Sequence, residues 1–450
     1  MANKLTNDKR GTSDALGASA PSPERDADAV ATDASAIGMA NAEAAAAASG
    51  ELAGKHLLLG MTGGIACYKI AELTRLLVKA GATVQIAMTD AATQFITPVT
   101  MQALSGRPVY TSQWDARIAN NMPHIDLSRE ADAIVIAPAS TDFLAKLAHG
   151  MADDLLSTLC VARDCPLLVV PAMNRQMWTN PATQRNVALL RGDGVQVLGP
   201  DSGAQACGEI GDGRMLEPEA TYEAIASFFQ PKILTGRRVL LTAGPTFEPL
   251  DPVRGITNRS SGKMGFALAR AAQHAGADVH LVAGPVALDT PWGVYREDVQ
   301  TAQQMYEAVM RAVPDCDIFI GVAAVADWRA EHVSQHKIKK TAERAVPAFT
   351  FVENPDILYA VANLTHPPYC VGFAAESGNL DVHGEQKRVR KNVPLLVGNL
   401  GPQTFGRDDN EVVLFDAAGI TRLPRAGKQA IAQALMAEIA RRLPDASLIG

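Results

Sequence analysis

The chain has no run of apolar residues approaching the roughly 18 that a membrane helix requires, so no helical span is expected. It has only six cysteines, at positions 67, 160, 165, 207, 316 and 370, and no Cys-x-x-Cys pair. That excludes a zinc ribbon or a disulfide framework and reads as reduced thiols in a cytoplasmic protein. No basic excess exists either. The 41 Lys and Arg stand against 48 Asp and Glu, a net charge of −7, which argues against a nucleic-acid partner. Aromatic residues are 5% of the chain, and the first 50 residues contain none. That opening stretch, rich in Ala, Ser and Asp, lacks the bulky side chains a core needs. It has no compact apolar signal region, and its acidic residues speak against a transit peptide. Residues 1–52 are read as a disordered tail, with at most a frayed helix over Ala40–Ala48.

What remains of the 450 residues is enough for two domains. Lys55–Met61 reads as a buried strand, followed by Thr62-Gly-Gly-Ile65. Ala66–Ala80 then has helical spacing, with Ile70, Leu73, Leu77 and Val78 on one side. Gly81 stops that helix and Ala82–Met88 is the next strand. This is a βαβ unit of a parallel sheet. Further strands are expected at Ala133–Ala137, Leu167–Val170 and Val195–Leu198, and helices from Phe143 and over Tyr222–Phe229. The pattern restarts after Pro231–Gly236. Arg238–Ala243 is a strand, Gly244–Ser261 a long loop, Met264–Ala275 a helix, and Asp278–Ala283, Ile318–Val322, Val371–Phe373 and Leu395–Val397 further strands. The fold class is therefore α/β: two tandem Rossmann-like, open parallel-sheet domains, spanning 53–232 and 233–450. Ligands of such sheets bind at the carboxyl ends of the strands.

The first-half motifs cluster at those ends. Gly60–Lys69 opens a helix with glycines, where backbone N–H groups can hold a phosphate. It is not GxGxxG, and alone it is equally a tight turn. Pro171-Ala-Met-Asn174-Arg-Gln-Met-Trp178 follows a buried strand. Its Asn could fix a carboxylate, or merely start a helix with core Met and Trp. His124 stands in a Pro-His-Ile turn before a helix. Cys207 lies between small residues in a glycine-rich loop. Singly, each is more simply structural, since thiol reactivity needs a special environment.

Together, in this order and spacing, these pieces closely resemble the flavin-containing cysteine decarboxylases, specifically phosphopantothenoylcysteine decarboxylase. The matching segments over residues 54–230 include Gly63-Gly64-Ile65, Tyr68-Lys69, His124, Ala137-Pro-Ala-Ser140, Gly150–Leu155, residues 171–178 and Ala206-Cys207-Gly208. The resemblance implies a flavodoxin-like domain holding FMN through Gly63, Gly64, Thr89, Phe95, Ala139, Ser140, Asp142 and Met173. It implies that His124 is the essential histidine beside the flavin, that Asn174 holds the substrate carboxylate and that Cys207 is the proton donor of the last step. A thiol that keeps its proton at neutral pH and can still release it suits that step. Two departures stand out: Cys67 where the family often has Ala, read as a packing residue, and Asp142 where it often has Asn.

In the second half, Thr257-Asn258-Arg-Ser-Ser-Gly-Lys263-Met-Gly265 precedes a helix and suits an anion, but it lacks Walker spacing. Asp327 follows the strand expected at Ile318–Val322. Lys337, Lys339 and Lys340 cluster in a loop, and Lys387 and Lys391, four apart, share a helical face. Such clusters are usually solvated surface. Their companions at strand ends favour a polyphosphate site in which Asp327 joins Mg²⁺ to phosphates. Residues 235–445 resemble the phosphopantothenate–cysteine ligase domain. With the first half, they match the domain order of bacterial bifunctional coenzyme A biosynthesis proteins.

This second resemblance implies that CTP activates 4′-phosphopantothenate as an acyl-cytidylate, which cysteine then attacks. Asn258 would contact the intermediate and Lys337 would stabilise developing charge. Ala323, Asp327, Lys337, Asn354, Pro355, Asp356, Ile357, Phe373, Lys387 and Lys391 would bind CTP, with Asp327 the metal carboxylate. It further implies a homo-oligomer, a dodecamer of decarboxylase trimers joined by ligase dimers, with the Lys337 loop serving the neighbouring subunit. A flavin prenyltransferase or peptidyl-cysteine decarboxylase shares the first fold, but residues 171–178, Cys207 and the second half count against both. A regulatory binding protein is disfavoured by the retained His124, Asn174 and Cys207. A nicotinamide dehydrogenase finds no GxGxxG.

Overall fold

The computed structural model describes residues 50–115, 122–339, 347–376, 379–400 and 407–443. The expected tail up to residue 49, Asn121 of the histidine turn and Lys340 lie outside them.

The first sheet runs β3-β2-β1-β4-β5-β6. Its strands are His56–Met61 (β1), Thr83–Met88 (β2), Val109–Tyr110 (β3), Ala133–Ala139 (β4), Leu167–Pro171 (β5) and Gln196–Val197 (β6), all paired in parallel. Leu57–Met61 and all of β4 are buried. Such continuous apolar runs are what a strand covered by helices on both faces requires. One covering helix is Cys67–Lys79 (α1), whose Ile70, Leu73 and Leu77 face the sheet without exposure. Leu52, assigned to the tail by sequence, is also fully enclosed in this core. The tail boundary therefore falls earlier than residue 52. A single leucine next to an alanine-rich stretch carries no periodicity to announce it.

Four more helices place site residues: Pro123–Glu130 (α2), Thr141–Ala148 (α3), the short Arg175–Thr179 (α4) and Pro218–Phe228 (α5). His124 lies inside the first turn of α2 rather than in a turn before it, because Pro123 stands at the first helical position. The Cys207 loop is the tip of an antiparallel hairpin, Asp201–Ala204 (β7) with Ile210–Arg214 (β8). Its glycine-rich strands give no hydrophobic alternation, which hides them in the sequence.

The second sheet has the order β13-β12-β9-β14-β17-β18-β19-β20. Arg238–Ala243 (β9) is central, and Phe247–Pro249 (β10) with Gly255–Thr257 (β11) form a small hairpin inside the segment read as loop. Asp278–Ala283 (β12), Val294–Asp298 (β13), Ile318–Gly321 (β14), Tyr369–Glu376 (β17) and Leu395–Leu400 (β18) complete the parallel part. Between them Trp328–Ala330 (β15) pairs with Phe351–Glu353 (β16). The sheet is not wholly parallel: Asp409–Asp416 (β19) and Gly419–Gly427 (β20) add an antiparallel edge. Pro424 and exposed Arg422 and Arg425 on β20 are typical of an edge strand. The helices of this domain that matter below are Lys263–His274 (α6), Ala302–Ala312 (α7), Ile357–Ala362 (α8), Leu380–Lys391 (α9) and Lys428–Arg442 (α10).

An ion cluster joins the two domains. The Arg270 guanidinium of α6 donates to both oxygens of Glu51 at 2.6 Å and to Glu223 of α5 at 2.5 Å. His274 Nε2 lies 3.2 Å from the same Glu223 carboxylate. Lys232 Nζ donates to the His274 carbonyl at 2.8 Å.

Candidate active sites

In the first domain the carboxyl ends of β1, β4 and β5 are stitched together. The Thr62 hydroxyl, just after β1, donates to Pro138 O and accepts from Ser140 N at 2.9 Å. Ala172 N, just after β5, donates to Ala139 O. Met173 S accepts from Thr141 Oγ1, and Met173 N donates to Gly213 O of β8 at 2.9 Å. Gly63, Ala139, Ser140 and Met173 thus belong to one continuous ledge. Thr89 joins it through its N–H bond to Met61 O, while Phe95 and Asp142 are exposed nearby.

The ledge suits a flavin phosphate. Helix α1 begins without a side-chain cap, so its first N–H groups point their partial positive charge into the Thr62–Ile65 turn. Beside Gly64 there is open space, whereas a Cβ at Gly63 would lie 2.6 Å from Ala91 Cβ. Cys67 is enclosed, its thiol donates to Thr62 O, and burial pushes it above its ordinary range. It is a packing residue, not a reactive thiolate.

Asn174 is the N-cap of α4. Its Oδ1 accepts from Met177 N at 2.9 Å, while its Nδ2 donates to Gln176 at 3.0 Å. The cap reading and the carboxylate reading are therefore compatible, since the exposed Nδ2 bond can be exchanged for a ligand oxygen. Met177, a core residue on the plain helix-start reading, is half exposed. The Cys207 hairpin leans on α4 through two bonds, Arg175 N to Gln205 Oε1 at 3.1 Å and Gln176 Nε2 to Glu209 Oε1 at 2.9 Å. Exposed Cys207 stands 3.9 Å from Gln205 Oε1. His124 is half-buried in α2, its carbonyl accepting from Ser128. The Gly150–Leu155 segment serves as a helix start: Asp154 and Ser157 form a reciprocal capping box.

In the second domain a cleft of about 830 Å³ opens at the carboxyl ends of β9, β14 and β17, within the size range of small-molecule sites. Asn258, Ala323, Asp327, Asn354, Pro355, Asp356, Ile357, Phe373, Lys387 and Lys391 all line it. Lys337 does not; it is exposed on the segment beyond β15. The β15–β16 arm carries Lys337 past the cleft of its own chain.

The cleft is locked by side chain–backbone bonds. Asn258 Nδ2 donates to Ala324 O and Val325 O at 3.0 and 3.1 Å. Asn354 Nδ2 donates to Ala326 O, and the Thr246 hydroxyl accepts from Ala326 N, fixing the backbone before Asp327. Asp356 caps α8 and pairs with Lys391. Among the described residues no group of three or more His, Cys, Asp or Glu could hold a metal by itself.

Sequence reasoning placed Lys263 in a segment suited to an anion but missed Lys428 as its companion in the cleft. Lys263 and Lys428 each open a helix, α6 and α10, and both line the cavity with Asn399 and Asn410. Burial, and then the nearby Lys263 charge, pull the Lys428 ammonium below its ordinary range. Lys263 pairs with Asp408 at 2.6 Å. A lysine opening a helix after an edge hairpin has no distinguishing local signal.

Comparison with known proteins identifies both domains. Residues 45–230 match the flavoprotein family model, and residues 234–443 match that of the DNA/pantothenate metabolism flavoprotein C-terminal domain. The coenzyme A biosynthesis bifunctional protein CoaBC of Vibrio cholerae is 51% identical over 390 residues, 86% of this chain and 98% of that protein. The protein of the same name from Escherichia coli is 49% identical over 401 residues, 88% of this chain and 99% of its own. A crystal structure of the C-terminal domain of a CoaBC protein shares 36% identity, covering 47% of this chain and 98% of that one, with a TM-score of 0.41. On the length and level of these matches, this chain belongs to the CoaBC family of bifunctional coenzyme A biosynthesis enzymes.

Proposed function

We propose that the second domain uses CTP to join cysteine to 4′-phosphopantothenate, and that the first domain decarboxylates the product to 4′-phosphopantetheine. The observation that carries this reading is the pairing of two sheet-edge sites in one chain: the Asn174–Cys207 ledge and the Asp327–Lys391 cleft. In the cleft, the phosphopantothenate carboxylate attacks the α-phosphorus of CTP and pyrophosphate leaves. The cysteine amine then attacks the acyl carbon and CMP leaves. Lys387, Lys391, Asp327 and Asn258 line the cleft; the two lysines would meet the triphosphate, Asp327 would hold Mg²⁺, and Asn258 would contact the acyl-cytidylate. Lys337 reaches the cleft of a second copy, which makes the ligase domain a dimer.

On the ledge, Gly63, Gly64 and Ser140 hold FMN, with Thr89, Phe95, Ala139, Asp142 and Met173 around it. The bound flavin supplies the two-electron oxidation of the cysteinyl thiol end, and its reversal, that make CO₂ loss feasible. Asn174 orients the leaving carboxylate through Nδ2, His124 stands beside the flavin, and Cys207 delivers the final proton. Ile65, Tyr68 and Trp114 are more than 60% exposed around this site. Covering them suits a trimer, and trimers joined by ligase dimers give a dodecamer. No helix among the described residues is long and apolar enough to cross a membrane; the enzyme works on small soluble substrates in the cytoplasm.

Mass spectrometry after mixing the protein with 4′-phosphopantothenate, CTP, Mg²⁺ and cysteine should detect CMP, pyrophosphate and 4′-phosphopantetheine. Cys207→Ser should release CO₂ but stall at an oxidised intermediate. A preparation that cannot be loaded with flavin, or that forms no amide product, would end this reading.

A further inference from the structure

Asp251 is a carboxylate in an unusual place. Its side chain is completely enclosed, yet no full ion pair holds it: the nearest cation, Arg254, is 3.9 Å away and half exposed. Its partners are backbone N–H groups. Oδ1 accepts from Val253 N and Arg254 N, both at 2.8 Å, which closes a local Asx turn between β10 and β11. Oδ2 is left for a distant segment and accepts from Ile338 N at 3.1 Å, across 87 residues of chain. One residue earlier, Leu250 O accepts from Ser334 N at 3.0 Å. These two bonds hold the 334–338 strap against the β10–β11 hairpin. Burial works against the Asp251 charge, but the N–H bonds from Ile338, Val253 and Arg254 outweigh it and hold the carboxyl below its ordinary range.

The strap carries Lys337. Half-buried Ile338 is flanked by exposed Lys337 and Lys339, so gripping the Ile338 N–H fixes which way the neighbouring lysine is presented. We infer that Asp251 is a positioning residue of the ligase reaction, setting the place of the Lys337 ammonium through the Ile338 backbone. The inference rests on the proposed role of Lys337 in stabilising charge during acyl-cytidylate chemistry. A flexible lysine on an untethered strap would sample many positions, and a misplacement near 1 Å already costs on the order of 10²-fold in rate.

A double-mutant cycle on the full-length enzyme tests this. Asp251→Asn keeps Oδ1 for the local turn but sets an NH₂ donor against the Ile338 N–H donor. Asp251→Ser, which keeps the turn and cannot reach Ile338, is the second variant should the first fold poorly. Pyrophosphate release should fall by about 10²-fold in kcat, with KM for CTP unchanged. Decarboxylation of supplied phosphopantothenoylcysteine should keep its wild-type rate. The Asp251→Asn/Lys337→Gln double variant should be no slower than Lys337→Gln alone, because both changes remove one contribution. A slow Lys337→Gln with wild-type kcat in both Asp251 variants overturns this inference alone. So does a double variant whose loss is the product of the single losses. Full-speed ligation by Lys337→Gln overturns the role of Lys337 and this inference with it.

Discussion

Replacing Gly213 with alanine tests whether the Cys207 hairpin must press against the Asn174 segment. Gly213 has φ +115°, a conformation side chains rarely adopt. A Cβ there would sit 2.6 Å from Met173 O and 3.2 Å from Asn174 O. Ordinary contact begins near 3.4 Å, so the two segments must part by about 0.8 Å. The backbone strain is worth about 1–3 kcal/mol, and parting stretches the 2.9 Å Met173 N to Gly213 O bond, worth about another 1 kcal/mol. The hairpin is the part that yields, since Asn174 follows directly on the buried strand β5 while the hairpin is mostly exposed. Relief by local opening leaves the global melting temperature nearly unchanged. Cys207 retreats, and a displacement of this size slows its proton transfer by about 10–10²-fold. In single-turnover mixing with phosphopantothenoylcysteine, CO₂ release should continue while 4′-phosphopantetheine lags and the oxidised intermediate accumulates. Product formation at the wild-type rate, or equal slowing of CO₂ and product, would refute the reasoning.

Other outcomes follow from the packing and the charges. Leu52→Ala should cost about 2–5 kcal/mol of first-domain stability, read by chemical denaturation followed through flavin release; no loss would mean the residue belongs to the tail after all. Arg270→Met should leave Glu51 and Glu223 without their main partner at the domain junction and destabilise it by about 3 kcal/mol. Burial raises the Glu223 carboxyl, but bonds from His274 and Arg270 outweigh it and hold it below its ordinary range. Its stabilising contribution is therefore full above the unfolded Glu pKa of roughly 4.3. It fades as pH falls through the lower folded value. Melting curves from neutral to acid pH should show this loss in the wild type and a smaller one in Arg270→Met. Lys391→Met should raise KM for CTP about tenfold or more, the worth of one charge-assisted hydrogen bond, with flavin content unaffected.

Much of the chemistry was legible because it is written locally. The Gly63-Gly64 turn, the Pro-x-Met-Asn run and the Lys387–Lys391 spacing each sit on one strand end or one helix face, where a period of two or 3.6 residues exposes them. The β7–β8 and β10–β11 hairpins escaped because Gly and Pro fill their strands, and β20 because Pro424 and its exposed arginines look like surface loop. His124 moved from turn to helix for a one-residue reason, Pro123 at the first helical position.

The sequence by itself determined two tandem α/β sheets and which loops fall at the carboxyl edge of each. Those follow from short-range periodicity, whereas the roles of the side chains there are what the family resemblance implies. Tertiary structure alone decided that Lys428 joins Lys263 in the cleft and that Leu52 belongs to a core. It also decided that Asp251 grips Ile338. Each of these depends on contacts between segments dozens to hundreds of residues apart, which no local pattern encodes.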